Sequence, residues 1–177
     1  MRVISGKYKG KNLIGFNIDG TRPTMDRVKE SLFASIQGYL NNSTVLDLFA
    51  GSGSLGIEAI SNGASSAYFV DNNIELINII KNNTKSIKED IHIIKSDYKI
   101  ALEMFKNSNI KFDIIFLDPP YKLNLINNCL KLITEYKMLS DNGIIVCEYE
   151  NENIDIDVLT IIKEKKYGNK YVRIYKM

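Results

Sequence analysis

The chain has no tryptophan, one histidine, two cysteines and three prolines among its 177 residues. A single histidine excludes His-rich zinc sites. Cys129 and Cys147 are neither spaced as metal ligands nor numerous enough for a disulfide framework. Both lie in apolar stretches and read as small buried residues, and no metal is expected. No apolar run approaches the roughly 20 residues of a membrane-spanning helix, and MRVISGKYKGKNL lacks the apolar stretch of a signal peptide. A cytoplasmic protein without membrane contact is therefore expected. Repeats and low-complexity segments are also absent. With 45% hydrophobic residues, the length suits one domain over 1–177. The expected division is a basic N-terminal hairpin extension (1–20), an amphipathic helix (21–40) and a main core (44–177).

The net charge of +2 hides an asymmetry. Residues 1–29 hold seven cations against two acids, and residues 163–177 hold six against one, so each end carries +5 and the remainder −8. Two basic termini around an acidic body suit a surface for a polyanion. Tyr8, Tyr167, Tyr171 and Tyr175 interleave with these cations and offer stacking faces for bases. The plainer alternative is solvated lysines and half-buried sheet tyrosines.

Along the body, TVLDLFAG, SAYFVDN, DIHIIKSD, KFDIIFLD and GIIVCEYE have the length and the Val, Ile and Phe content of strands. Between them lie segments with apolar residues at helical spacing, as in Leu125, Cys129, Leu132 and Ile133. Near-continuous apolar strands joined by helices predict a doubly wound α/β fold, a parallel sheet covered on both faces. The tail folds back around Tyr167-Gly168-Asn169 as an antiparallel hairpin, making seven strands. Thr21 and Pro23 open one amphipathic helix carrying Val28, Leu32 and Ile36.

In such folds ligands bind beyond the carboxyl ends of the strands, where polar residues collect here. Gly51-Ser52-Gly53-Ser54-Leu55-Gly56 is a G-x-G-x-x-G between strand and helix, and Asp71 ends the next strand 20 residues on. Glycines there let the backbone approach a ligand, while the acid accepts from a ribose. Asp47 lies inside the first strand, where a carboxylate suits a cationic ligand better than a pyrophosphate. S-adenosylmethionine carries an ammonium and a sulfonium. Asp97 ends the third strand and is placed to accept from an adenine amino group. Each acid also reads as an ordinary strand-end residue at a helix start.

FLDPPY, residues 116–121, ends the fourth strand. An amino group on a base is a poor nucleophile because its lone pair is delocalised into the ring. Accepting its two hydrogens with the Asp118 carboxylate and the Pro119 carbonyl localises that pair. Pro119 and Pro120 fix the carbonyl's direction, and Tyr121 stacks on the extruded base. LDLFAGSGSLG, FVD, SD and DPPY together resemble the class I methyltransferases that modify exocyclic amino groups.

The N-terminal segment MRVISGKYKGKNL followed by TRPTMDRVKESLF is similar to the bacterial RsmD family, along nearly the whole length. That resemblance implies an S-adenosylmethionine-dependent enzyme that methylates N2 of a guanine in 16S ribosomal RNA or a small-subunit assembly; a monomer is the default expectation. On the cofactor side it places Arg22, Pro23, Thr24, Asp47, Phe49, Ala50, Gly51, Ser52, Gly53, Gly56, Asp71, Asn72, Asp97 and Tyr98. Arg2, Lys7, Lys9, Lys11 and Arg27 would meet RNA phosphates. Met25 stands where the family commonly has a second Thr, and Asn169-Lys170 where Asp-Thr is usual. The alternatives are an amino methyltransferase acting on adenine N6 or a protein glutamine, and an NAD-binding Rossmann protein.

Overall fold

In a computed structural model of the chain, the described residues are 1–15, 22–120, 125–150, 154 and 156–177, with 22–25 described as helix backbone only. They contain one seven-stranded sheet in the order β3-β2-β1-β4-β5-β7-β6. β1 (Thr44–Asp47), β2 (Ser66–Asp71), β3 (Asp90–Lys95), β4 (Phe112–Leu117) and β5 (Leu139–Tyr149) run parallel. β6 (Thr160–Tyr167) and β7 (Lys170–Lys176) form the expected hairpin, with β7 antiparallel to both neighbours.

Side chains alternate across each strand, so every strand but the edge strand β6 feeds two cores. Val45, Phe69, Ile114, Phe116, Val146 and Val172 pack under α1 (Arg22–Ser35), α2 (Gln37–Leu40), α3 (Ser54–Ser61) and α4 (Ile74–Thr84). Leu46, Val70, Ile115, Leu117 and Ile145 pack under α5 (Tyr98–Asn107) and α6 (Ile126–Glu135). Cys129 and Cys147 are fully buried in the second core, as their apolar surroundings suggested.

Local chemistry sets several helix starts. Asn73 caps α4 by accepting from Glu75 N–H at 2.8 Å, with Glu75 in the first turn and Lys81 in the last complementing the dipole. Asp97 caps α5 in the same way.

The segment expected as one helix over 21–40 is two. Ile36 leaves helical geometry at φ −108°, ψ 11° and ends α1, and α2 restarts at Gln37. Gly38, a poor helix former, follows directly, while Ile36 is driven fully into the core. The N-terminal hairpin is a loop closed by one bridge, Arg2 to Asn12, with Val3 and Leu13 buried beneath it.

Among the described residues, no helix is long and apolar enough to cross a membrane. No cluster of three or more His, Cys, Asp or Glu fit for a metal occurs there either.

Candidate active site

The period-two alternation decides which strand-end side chains share a face. Asp47 follows Val45, Asp71 follows Phe69, Asp118 follows Phe116 and Glu148 follows Val146, each by two residues. All four therefore belong to the face under α1–α4, at the carboxyl ends of adjacent strands.

The glycine loop occupies that rim. Gly51 has φ +56°, in the left-handed region, and a Cβ built there would meet nothing nearer than Phe49 O at 4.0 Å. The space above it is open to a ligand. Gly56 is different: its Cβ would lie 2.3 Å from Cε1 of Phe69, so glycine there lets α3 press onto β2. Gly53 caps α3 in a left-handed conformation.

Two carboxylates hold this loop. Asp71 Oδ2 accepts from Gly51 N–H at 3.0 Å, and its Oδ1 accepts from Asn73 N–H at 2.9 Å. Asp47 is 2% exposed, and its Oδ2 accepts from Gly56 N–H at 3.0 Å. Burial pushes the Asp47 carboxyl up to about 7, helped by the Asp71 charge and opposed by the Gly56 hydrogen bond. A buried carboxylate raised in this way is stabilised by a bound cation. The open space over Gly51 and the Asp47 carboxylate thus fit a ligand that brings positive charge to the loop.

Around them, Phe49 and Tyr98 pack ring to ring at 5.5 Å, with Tyr98 and Ala50 buried. Asn72 is exposed. Asp97 is also exposed, and its Oδ1 accepts from Lys99 N–H at 2.9 Å as the α5 cap. The alternative reading of Asp97, a helix-start acid, therefore describes one of its oxygens. Asp118 is half-buried directly after β4, Pro119 is buried and Pro120 exposed. Tyr121 lies outside the described residues, as do the side chains of Arg22, Pro23 and Thr24; these three begin α1, which covers the same face.

The basic N-terminus is partly committed to the protein itself. Lys7 Nζ lies 2.6 Å from Glu89 Oε1, Lys11 Nζ donates to Ser86 Oγ at 2.6 Å, and Arg2 pairs with Asp26 at 3.4 Å. Lys9 and Arg27 are exposed. Of the tyrosines offered as stacking faces, Tyr175 is 2% exposed and belongs to the core. Alternation along β7 turns it inward, so it presents no face to a base. Tyr171 stacks on Tyr149 instead, and Tyr167 and Tyr8 donate to Ser31 Oγ and Glu89 Oε2.

Several residues that shape the site were not singled out from the sequence. Asn83, 3% exposed, donates to the carbonyls of Ser52 and Ile14 and ties the glycine loop to the end of the hairpin. A polar residue three after Ile80 on an apolar stripe was the available signal. Lys29 and Glu58 form an ion pair at 3.2 Å with 9% and 1% side-chain exposure. Glu58 also accepts from the N–H groups of Ile4 and Ser5, while Lys29 donates to Arg2 O and Ser54 Oγ. Nothing local announced that cluster. Glu148 and Lys170, 2.7 Å apart, extend the row of strand ends beyond Asp118. A shallow concavity of about 230 Å³ lies at the opposite ends of the strands, between Tyr39, Asn42, Asp113 and Asn142, and holds none of these groups.

Strand order, the antiparallel β7 and a glycine loop flanked by strand-end acids define a class I methyltransferase fold. The family model described as "Conserved hypothetical protein 95" matches residues 1–176. The "Ribosomal RNA small subunit methyltransferase D" of Haemophilus influenzae is 37% identical over 99% of this chain and 93% of its own length. Its namesake in Escherichia coli K12 is 30% identical over 86% of this chain and 76% of its own length. The solved Escherichia coli yhhF chain superposes with a TM-score of 0.84 at 28% identity, covering 99% of this chain and 96% of that one. The chain belongs to the RsmD family.

Proposed function

We propose that this protein transfers a methyl group from S-adenosylmethionine to the exocyclic N2 of one guanine in 16S ribosomal RNA. The observation that carries the reading is that Asp118, at the end of the strand next to β1, shares a sheet face with the Asp47 and Asp71 that hold the glycine loop. Membership of the RsmD family supports the ribosomal substrate.

Bound S-adenosylmethionine supplies a methyl group on a sulfonium, a good leaving group that takes the electron pair of the broken S–C bond. The chain's own residues position the partners. Asp47 offers negative charge to the cofactor's cationic end, and Asp71 stands at the ribose position of the loop. Asp118 and the Pro119 carbonyl accept the two hydrogens of the guanine amino group, which localises the nitrogen lone pair toward the methyl carbon. Once methylated, the amino group would pass its surplus proton to solvent water. In-line positioning supplies much of the acceleration. Tyr121, which follows the prolines, stacks on the extruded base, and Arg22, Pro23 and Thr24 cover the cofactor. Arg2, Lys7, Lys9, Lys11 and Arg27 meet phosphates and fix register without reading sequence. The enzyme acts as a cytoplasmic monomer, with the hairpin over 1–20 as its RNA-facing extension.

The deciding experiment is incubation with labelled S-adenosylmethionine and small ribosomal subunits from a strain lacking the protein, followed by nuclease digestion and nucleoside mass spectrometry. N2-methylguanosine at one position is the expected product. Methyladenosine would keep the chemistry and overturn the base; label on protein alone would overturn the substrate.

A further inference from the structure

β4, β5 and β7 are consecutive in the sheet, and their facing side chains continue the row of the candidate site. Leu117 pairs with Cys147, so Asp118 and Glu148 are the next residues along two neighbouring parallel strands. Glu148 pairs with Val172 on the antiparallel β7, which places Lys170 on the same face and diagonal to Glu148. The Lys170 ammonium lies 2.7 Å from Glu148 Oε1. Both side chains are partly exposed, at 17% for Glu148 and 37% for Lys170. Burial opposes the Lys170 charge, but the carboxylates of Glu148, Asp118 and Glu150 overcome it and hold the ammonium above the ordinary lysine value. Lys170 therefore sits within the field of Asp118 as well as against Glu148.

Across the three strands the order of groups is acceptor, acceptor, donor. The Watson–Crick edge of guanine presents the complementary order: the amino group at C2 donates, N1–H donates and O6 accepts. Adenine presents a donor at C6 and a bare acceptor at N1, so a carboxylate beside its amino-binding acid would face a lone pair. A carboxylate accepts at about four lone-pair positions, so Glu148 can hold Lys170 and accept from a base together. An extruded base is read by hydrogen bonds to this edge.

We propose that Glu148 and Lys170 are base-reading residues: Glu148 accepts from N1–H of the target guanine and Lys170 donates to its O6, next to Asp118 at the amino group. The inference rests on the guanine-N2 reaction proposed above and supplies its specificity. β7 brings Lys170 there only because it inserts between β5 and β6 in antiparallel sense.

The test uses the full-length protein and small subunits reconstituted around 16S RNA that carries guanine or 2,6-diaminopurine at the mapped position. Diaminopurine keeps the 2-amino group but offers a lone pair at N1 and an amino group at C6. The parent is expected to prefer guanine by roughly 100-fold in kcat/KM, about tenfold for each of the two hydrogen bonds that diaminopurine cannot make. Glu148→Gln and Lys170→Met should each lower the guanine value about tenfold while changing the diaminopurine value far less, so the preference falls to roughly tenfold. Lys170→Gln, which restores a neutral donor, should recover part of the guanine rate. Cofactor titration and thermal melting establish that each variant is folded. Equal losses on both bases, or an unchanged preference, would show that the pair shapes the pocket without reading the edge, and would overturn the proposal. A parent that methylates no guanine in the same assay would instead remove the reaction on which it rests.

Discussion

Asp47 Oδ2 accepts from the backbone N–H of Gly56 at 3.0 Å, so a carboxylate inside β1 holds the first turn of α3. That hydrogen bond does not offset the burial of the charge, and the Asp47 carboxyl rises to about 7. An acid raised in the folded state is protonated there at pH values where the unfolded chain has already ionised. The resulting cost therefore grows between about pH 4 and pH 7 and is constant above, on the order of 4 kcal/mol. A cationic cofactor end beside Asp47 favours the ionised form and releases the proton. Cofactor affinity should then rise from pH 5 to about pH 7.5 and level off. Asp47→Asn should bind more weakly with a flat profile, and without cofactor it should be more stable than the parent at pH 8. Isothermal titration across pH and urea unfolding check both; a parallel profile in the variant would remove Asp47 from the cofactor's cationic end.

Asp118→Ala removes one acceptor from the reacting amino group and leaves the glycine loop untouched. Methyl transfer should fall at least about 100-fold, the scale of deleting one transition-state partner, with cofactor affinity within about twofold of the parent. Single-turnover rates beside cofactor titration separate the two. A near-parental rate would end the catalytic assignment.

Gly56→Ala should destabilise the protein although alanine is the better helix former. Its Cβ would lie 2.3 Å from the Phe69 ring, and Phe69 is fully buried, so the ring cannot swing away into solvent. Overpacking of this kind costs about 1–3 kcal/mol, more than the roughly 1 kcal/mol of helix propensity gained. A lower urea midpoint at unchanged slope is the expected reading.

Glu58→Ala leaves the Lys29 ammonium buried without its partner and removes the acceptor of the Ile4 and Ser5 N–H groups. Breaking such a pair costs about 3–5 kcal/mol. The loss should concentrate in the N-terminal hairpin, where hydrogen exchange of residues 3–13 should speed up well before that of β1 or β4.

Replacing Lys7, Lys9 and Lys11 with Ala should weaken RNA binding and lower the salt dependence. The decrease should be about two in the slope of log K against log salt, since each phosphate contact contributes roughly 0.7–0.9. Lys7 gives up its contact with Glu89 to reach a phosphate, so its share should be the smallest. Filter binding from 50 to 300 mM salt reads this directly, and an unchanged slope would place RNA elsewhere.

Much of the fold was legible because its signals are local. Apolar runs of strand length, Asp97 at a helix start, and Gly168 in the tail turn each act within a few residues. The same holds for the glycine loop and Asp71, whose spacing along the chain already matches their meeting at 3.0 Å. The break at Ile36 was not legible, since the helical period continues through it and burial of Ile36 against the sheet overrides the pattern. The role of Tyr175 was missed for a similar reason. Its cationic neighbours in sequence point to a surface, whereas strand alternation sends it into the second core.

By itself, then, the sequence determined the alternation of strands and helices, the glycine loop after β1, the acid and prolines at the end of β4 and the family, because these depend on period, local chemistry and short spacing. Only the tertiary structure decided which distant residues meet. Glu58 reaches back to Ile4 across 54 residues, Lys7 forward to Glu89 across 82, and Lys170 arrives beside Glu148 and Asp118 through the insertion of β7. Such contacts are set by strand order and register. Those follow from the burial of both sheet faces at once, which no local stretch encodes.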